Sequence, residues 1–219
     1  MNKKYDAVLF DFDGTVADTG PGIFNGIYHV LDFMGIERPE PEELRFFIGP
    51  PLQDGFKTVF GLDDAQSSAA VAKYREHYAA GGMFELTFYD GMEELFHKLK
   101  EQHIKMGICS AKPEIFLKKI VEHFELSDLF DAVVGNEPNY TSSDKSTLIN
   151  RAIELTNLPK DARVLMVGDR HFDINAAKKV GIDSAGVLFG YGSREEFVEA
   201  GADYIAADAN ELFGIITGE

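Results

Sequence analysis

Six short apolar runs punctuate this chain: Ala7–Phe10, Ile104–Cys109, Ala132–Gly135, Val164–Gly168, Ala185–Phe189 and Tyr204–Ala206. Each has the length of a buried strand. The stretches between them carry helical spacing. Met92, Leu95, Phe96 and Leu99 fall at i, i+3, i+4 and i+7. Phe116, Ile120 and Phe124 form a second stripe, and Leu148, Ile149, Ala152 and Ile153 a third. Gly181 and Gly201 stand where helices should stop, and Ser193-Arg194-Glu195-Glu196 reads as a capping box. Strand and helix in alternation imply a parallel sheet with helices on both faces, an α/β, Rossmann-like fold.

One stretch breaks the alternation. Ile23, Ile27, Leu31 and Met34 make a helical stripe ended by Gly35; Leu52, Phe56, Val59 and Phe60 make another. Ala70, Val71, Tyr74 and Tyr78 suggest a third, ended by Gly81-Gly82. The expectation is an α/β core built from residues 1–15 and 89–219, with a helical cap, residues 16–88, inserted after the first strand. Ligands of open α/β sheets bind beyond the C-terminal strand ends, so a cap leaving there is placed to act as a lid.

A chain of 219 residues that is 45% hydrophobic can bury such a core. No apolar run approaches the roughly 18 residues of a membrane span. The segment Met1–Asp6 lacks the apolar stretch of a signal peptide, and the single cysteine, Cys109, permits no intrachain disulfide. These readings predict a cytoplasmic protein with no membrane partner. The net charge of −16, without a Lys/Arg cluster, argues against duplex nucleic acid. An anionic substrate would need local help from a metal or a lysine.

Four clusters carry the chemistry. Asp11-Phe12-Asp13-Gly14-Thr15 directly follows the first apolar run. Asp is disfavoured in strands, and neighbouring carboxylates repel unless a cation intervenes. Taken alone, the pair also fits an ordinary Asp-Gly turn. Ser110-Ala111-Lys112 follows the second run, where a hydroxyl and free N–H groups could hold a phosphate or merely cap a helix. Lys145, after Ser142-Ser143-Asp144, opens a helical pattern, where a cation opposes the helix dipole and needs another reason. Gly168-Asp169-Arg170-His171-Phe172-Asp173 closes the fourth run, with Asp169 and Asp173 four residues apart. None of the six histidines forms a pair with metal-ligand spacing.

With DFDGT, Ser110, Lys145 and GDRHFD in this order, the chain resembles a haloacid dehalogenase (HAD) superfamily hydrolase of the helical-cap branch, over essentially its whole length. Ile48-Gly49-Pro50-Pro51-Leu52, Tyr89-Asp90-Gly91-Met92 and the segment Gly186–Gly192 resemble phosphoglycolate phosphatase-type members. The resemblance implies a Mg²⁺-dependent phosphatase acting on a small phosphorylated metabolite, as monomer or homodimer. It implies that Asp11 is the nucleophile, that Asp13 is the general acid and base, and that Ser110 and Lys145 complete the catalytic set. It places Mg²⁺ on Asp11, Asp13 (through its backbone carbonyl), Asp169 and Asp173. Gly14, Thr15, Ser110, Ala111 and Lys112 would meet the phosphate. Arg45, in the cap, is a candidate for an anionic group of the substrate. Ala111 stands where the family commonly has a polar residue. Alternatives within the family are a 5′-nucleotidase, a pyrophosphatase or a β-phosphoglucomutase-type phosphomutase. A non-catalytic regulator is disfavoured because every catalytic acid is present.

Overall fold

The computed structural model describes residues 4–137 and 144–219. Ser142 and Ser143 of the lysine motif lie outside the described residues, as do Met1–Lys3 of the segment read for a leader. The strands are β1 (Ala7–Phe10), β2 (Ala17–Asp18), β3 (Thr87–Phe88), β4 (Lys105–Pro113), β5 (Ala132–Asn136), β6 (Val164–Gly168), β7 (Asp183–Val187) and β8 (Tyr204–Ala206). The α-helices are α1 (Gly20–Met34), α2 (Leu52–Phe60), α3 (Asp64–Ala79), α4 (Met92–Glu101), α5 (Glu114–His123), α6 (Lys145–Leu155), α7 (His171–Val180), α8 (Arg194–Ala200) and α9 (Ala209–Thr217).

Six strands form one sheet in the order β5-β4-β1-β6-β7-β8, and every pairing is parallel. The chain steps outward from β1 to β5, then returns to the other side of β1 at β6. That reversal makes the crevice beyond β1 and β6 the natural ligand site of the sheet. Side chains of β1 alternate between two cores, as the strand pleat requires. Ala7 and Leu9 join Cys109, Met166, Ile149 and Ala177 beneath α6 and α7. Phe10, on the opposite face, packs edge-on against Phe96 of α4, with ring centroids 5.3 Å apart.

The chain divides into two compact units: Met1–Asp18 with Phe88–Glu219, and Thr19–Thr87. The division falls a few residues from the bounds read in the sequence. Val16 and Ala17 are fully buried, and the Val16 carbonyl accepts from the Tyr89 N–H, so this exit strand stays with the α/β unit. The second unit is helical. Ile23, Ile27 and Leu31 of α1 are buried, as are Ala70, Tyr74 and Tyr78 of α3. Gly35 ends α1 with φ of 70°, the left-handed stop its position predicts.

Two elements differ from the sequence reading. β4 does not stop at Cys109 but runs on to Pro113, so Ser110 is a strand residue and not a helix cap. In α5 the buried side chains are Leu117, Ile120 and Val121, one position round from the expected Phe116 stripe. Among the described residues, no helix is long and apolar enough to cross a membrane.

Candidate active site

The C-terminal ends of β1, β4 and β6 lie side by side, and the first three motifs in space begin there. Phe10 of β1 pairs with Ile108 on one side and Val167 on the other. Asp11 is therefore the first residue past the sheet, its N–H still bonded to the Val167 carbonyl at 2.9 Å. Its carboxylate accepts from the Phe12 N–H at 2.7 Å. Asp11, Asp169 and Asp173 each present a carboxylate oxygen within 4.8 Å of the others. Lys145, at the start of α6, reaches Asp11 Oδ2 at 2.5 Å and also pairs with Asp173. Thus four residues separated by up to 162 positions meet at one point.

Asp173 serves its helix as well. Its Oδ2 accepts the Arg170 N–H at 3.1 Å across the first turn of α7. Asp169 is held by the Tyr191 N–H at 2.9 Å and touched by the Thr15 hydroxyl at 3.5 Å. Asp13 stands apart from the three acids. Its carboxylate pairs with Lys112 at 2.7 Å, and both side chains are largely buried.

Lys112 is aimed there by an irregularity in β4. Between Cys109 and Pro113 the strand advances four residues while its partner β5 advances two, from Val134 to Asn136. Such bulges re-aim side chains beside active sites. The Asn136 amide donates to the Ala111 carbonyl at 2.5 Å and fixes the bulge. Ser110, buried, accepts from the Lys112 N–H at 3.3 Å.

The electrostatics are unbalanced in one direction. Three carboxylates share one ammonium. Two unit charges about 5 Å apart repel by roughly 3 kcal/mol at an effective dielectric near 20. Burial, then Asp173 and Asp11, raises the Asp169 carboxyl well above the ordinary range. Burial also raises Asp173, to about 6, with Asp11 adding to it while Lys145 opposes. Burial alone would lower Lys145, but Asp11 and Asp173 outweigh it and hold the ammonium protonated. A divalent cation would cancel the two surplus charges. The donor set is oxygen only, which suits Mg²⁺ and gives soft metals no thiolate or imidazole. Cys109 lies close by, yet burial first pushes its thiol up to about 12, so it is no nucleophile.

Gly14 is fixed by two constraints. Its φ is +80°, and a Cβ there would lie 2.1 Å from Asp169 Oδ2. We expect Gly14→Ala to cost about 1–3 kcal/mol of stability through strain. It should also displace Asp169 and weaken the binding of a divalent cation at the three carboxylates at least tenfold, on the order of a lost ligand orientation. Thermal melting and calorimetric Mg²⁺ titration check this; wild-type values in both would contradict the crowding.

The segment 8–187 matches the model of the haloacid dehalogenase-like hydrolases. The chain belongs to that family. A 5′-nucleotidase from Pseudomonas aeruginosa is 33% identical over 95% of this chain and 94% of its own. A phosphoglycolate phosphatase from Aquifex aeolicus is 28% identical over 84% and 85%. A solved structure described as a predicted phosphatase from Clostridium acetobutylicum is 37% identical, covers 98% of this chain and 99% of its own, and superposes with a TM-score of 0.88. This HAD hydrolase is therefore an enzyme with the parallel-sheet fold that its motifs imply.

Of the residues singled out in the sequence, Asp11, Asp169, Asp173 and Lys145 converge directly. Asp13 and Lys112 form a pair, while Gly14 and Thr15 line Asp169. Ser110 and Ala111 occupy the bulge. Arg45 belongs to the helical unit, exposed on a 3-10 turn spanning Pro41–Phe47. Two supports escaped the sequence reading besides Asn136. Glu196 accepts from Arg170 Nε at 3.0 Å and from the His171 N–H at 2.7 Å. It also meets His171 Nδ1 at 2.7 Å, clamping the loop between Asp169 and Asp173. Ser193 does cap α8, but Glu196 does not complete the expected box; its side chain goes to the loop instead. Tyr191 carries no local signal of this role beyond the resemblance of the segment Gly186–Gly192.

Proposed function

We propose that this HAD hydrolase is a Mg²⁺-dependent phosphatase that cleaves small phosphate monoesters through an aspartyl phosphate on Asp11. The observation that carries the reading is the division of acids. Three carboxylates with Lys145 make an oxygen-donor cluster, while the fourth, Asp13, is held separately by Lys112. Asp11, Asp169 and Asp173, with the Asp13 carbonyl, would hold the metal. When bound, it neutralises charge on the acids and on the phosphoryl group.

Asp11 attacks phosphorus, forming the acyl phosphate as the P–O bond to the leaving alcohol breaks. Asp13 protonates that alcohol. It is left as a carboxylate, which then takes a proton from water as the water attacks the acyl phosphate. Lys145 holds Asp11 in place and offsets its charge. Ser110, Lys112 and backbone N–H groups in the bulge are assigned to the phosphoryl oxygens; the Gly14 and Thr15 N–H groups are turned onto the Ala17 and Phe12 carbonyls, so these two residues shape the turn beside Asp169. Catalysis then rests on positioning and electrostatics. The helical unit is assigned the choice of substrate, with Arg45 as its candidate anionic contact.

The closer, near-full-length likeness to a protein named 5′-nucleotidase favours nucleoside 5′-monophosphates over phosphoglycolate as the substrate class. A panel of 5′- and 3′-nucleoside monophosphates, phosphoglycolate, sugar phosphates and an aryl phosphate tests both levels. Phosphate release in Mg²⁺, fastest from 5′-monophosphates, is expected. A phosphoglycolate preference would overturn the substrate class alone. Release from no monoester would overturn the phosphatase reading.

A further inference from the structure

The loop after β7, Leu188-Phe189-Gly190-Tyr191-Gly192, supplies no catalytic or phosphate-binding side chain in the proposed mechanism, yet it lies hard against that site. A Cβ on Gly190 would lie 2.2 Å from the Gly14 carbonyl and 2.4 Å from Asp169 Cβ. Only glycine lets this backbone lie so close. The approach puts the Tyr191 N–H on Asp169 Oδ2 at 2.9 Å. From there the side chain runs past Gly14, and its hydroxyl donates to Asp18 Oδ1 at 2.5 Å. The Tyr89 phenol lies beside that hydroxyl. Tyr89 is anchored by its N–H to the Val16 carbonyl at 3.2 Å and by its ring to Phe189, 5.1 Å between centroids.

Asp18 is the last residue of the α/β unit before the chain leaves it, and Tyr89 is the second after the chain returns. One residue thus grips an acid of the catalytic cluster by its backbone and the exit crossing by its hydroxyl, while its loop neighbour Phe189 packs on Tyr89 of the return crossing. We propose that Tyr191 is a positioning residue, a strut that keeps the exit strand, the return strand and Asp169 in one arrangement during turnover. The inference rests on the phosphatase reading for its kinetic consequence only.

The two ends of the strut separate cleanly. Tyr191→Phe deletes the hydroxyl but keeps the N–H on Asp169 and the ring against Gly14. Its affinity for Mg²⁺, measured by calorimetry, is therefore expected within twofold of wild type. A tyrosine–carboxylate bond is charge-assisted, so its loss should loosen the crossings appreciably. Amide hydrogen exchange is expected to rise about tenfold at residues 16–18 and 88–90. The fraction of molecules in the competent arrangement falls, so kcat on a nucleoside monophosphate should drop about tenfold. Asp18→Ala removes the same bond from its other end, and the double variant should be no worse than the more affected single one. Unchanged exchange in Tyr191→Phe, additive effects in the double variant, or a large loss of Mg²⁺ affinity would each overturn the strut. Should the wild-type enzyme release no phosphate, the functional reading falls, while the exchange and calorimetry arms still decide this one.

Discussion

Asp11→Asn is expected to lower turnover by roughly 10⁴-fold or more, the scale seen when a covalent nucleophile is removed. An amide cannot attack phosphorus. The fold should survive, because Asn is isosteric and its carbonyl can still accept the Phe12 N–H that Asp11 Oδ1 now accepts at 2.7 Å. The metal-free variant should in fact melt higher than the metal-free wild type. Asp11 raises both Asp169 and Asp173, so removing its charge relieves repulsion in a site with two surplus negative charges. Lys145 loses one partner but keeps Asp173. Thermal melting in chelator, steady-state kinetics and acid-quench labelling of the wild type check the three parts. Labelled phosphate should appear on Asp11, and beryllofluoride with Mg²⁺ should inhibit by mimicking it. Label on Ser110, or near-normal turnover in Asp11→Asn with deamidation excluded, would sink the nucleophile assignment.

Much of the frame was legible because strand and helix periods differ. The apolar runs gave β1, β6 and β8 to the residue. β4 was cut short at Cys109 because apolar periodicity ends there, while the extended backbone continues through polar Ser110 and Lys112. Nothing local marks the bulge; it is fixed from β5 by Asn136. The acids and Lys145 were legible as motifs because caps and turns account for single carboxylates past strand ends, not for so many together. The pairing of Lys112 with Asp13, 99 residues apart, belongs to tertiary structure alone. The same holds for Glu196, whose local pattern, Ser193-Arg194-Glu195-Glu196, fits a cap as well as a clamp. In α5, Phe116 and Leu117 are both apolar and neighbours round the helix. Packing against the sheet, not spacing, turned Leu117 inward.

Exhaustive chelation is expected to abolish activity, and the recovery with Mg²⁺ should depend on pH in a direction that the buried acids dictate. Asp173 is raised to about 6 in the folded, metal-free protein, against about 4 for an unfolded aspartate. Its folded form therefore binds the proton more tightly than the unfolded chain. That stabilisation is complete below about pH 4 and is lost as pH rises through about 6. Burial raises Asp169 in the same direction, so it adds to this loss. Mg²⁺ needs these carboxylates ionised, so it must displace their protons. Its affinity should climb as pH rises through about 6, and the melting temperature gained on adding it should be small at pH 5 and large at pH 8. Calorimetry near pH 6 in buffers of different ionisation enthalpy should register proton release. Asp169→Ala removes one donor of the cluster and should raise the Mg²⁺ requirement by about 100-fold or more, on the scale of a lost ligand contact. It should also flatten the pH dependence of the melting shift. A melting shift independent of pH would contradict the buried, proton-competing cluster, and full activity after chelation would contradict the metal itself.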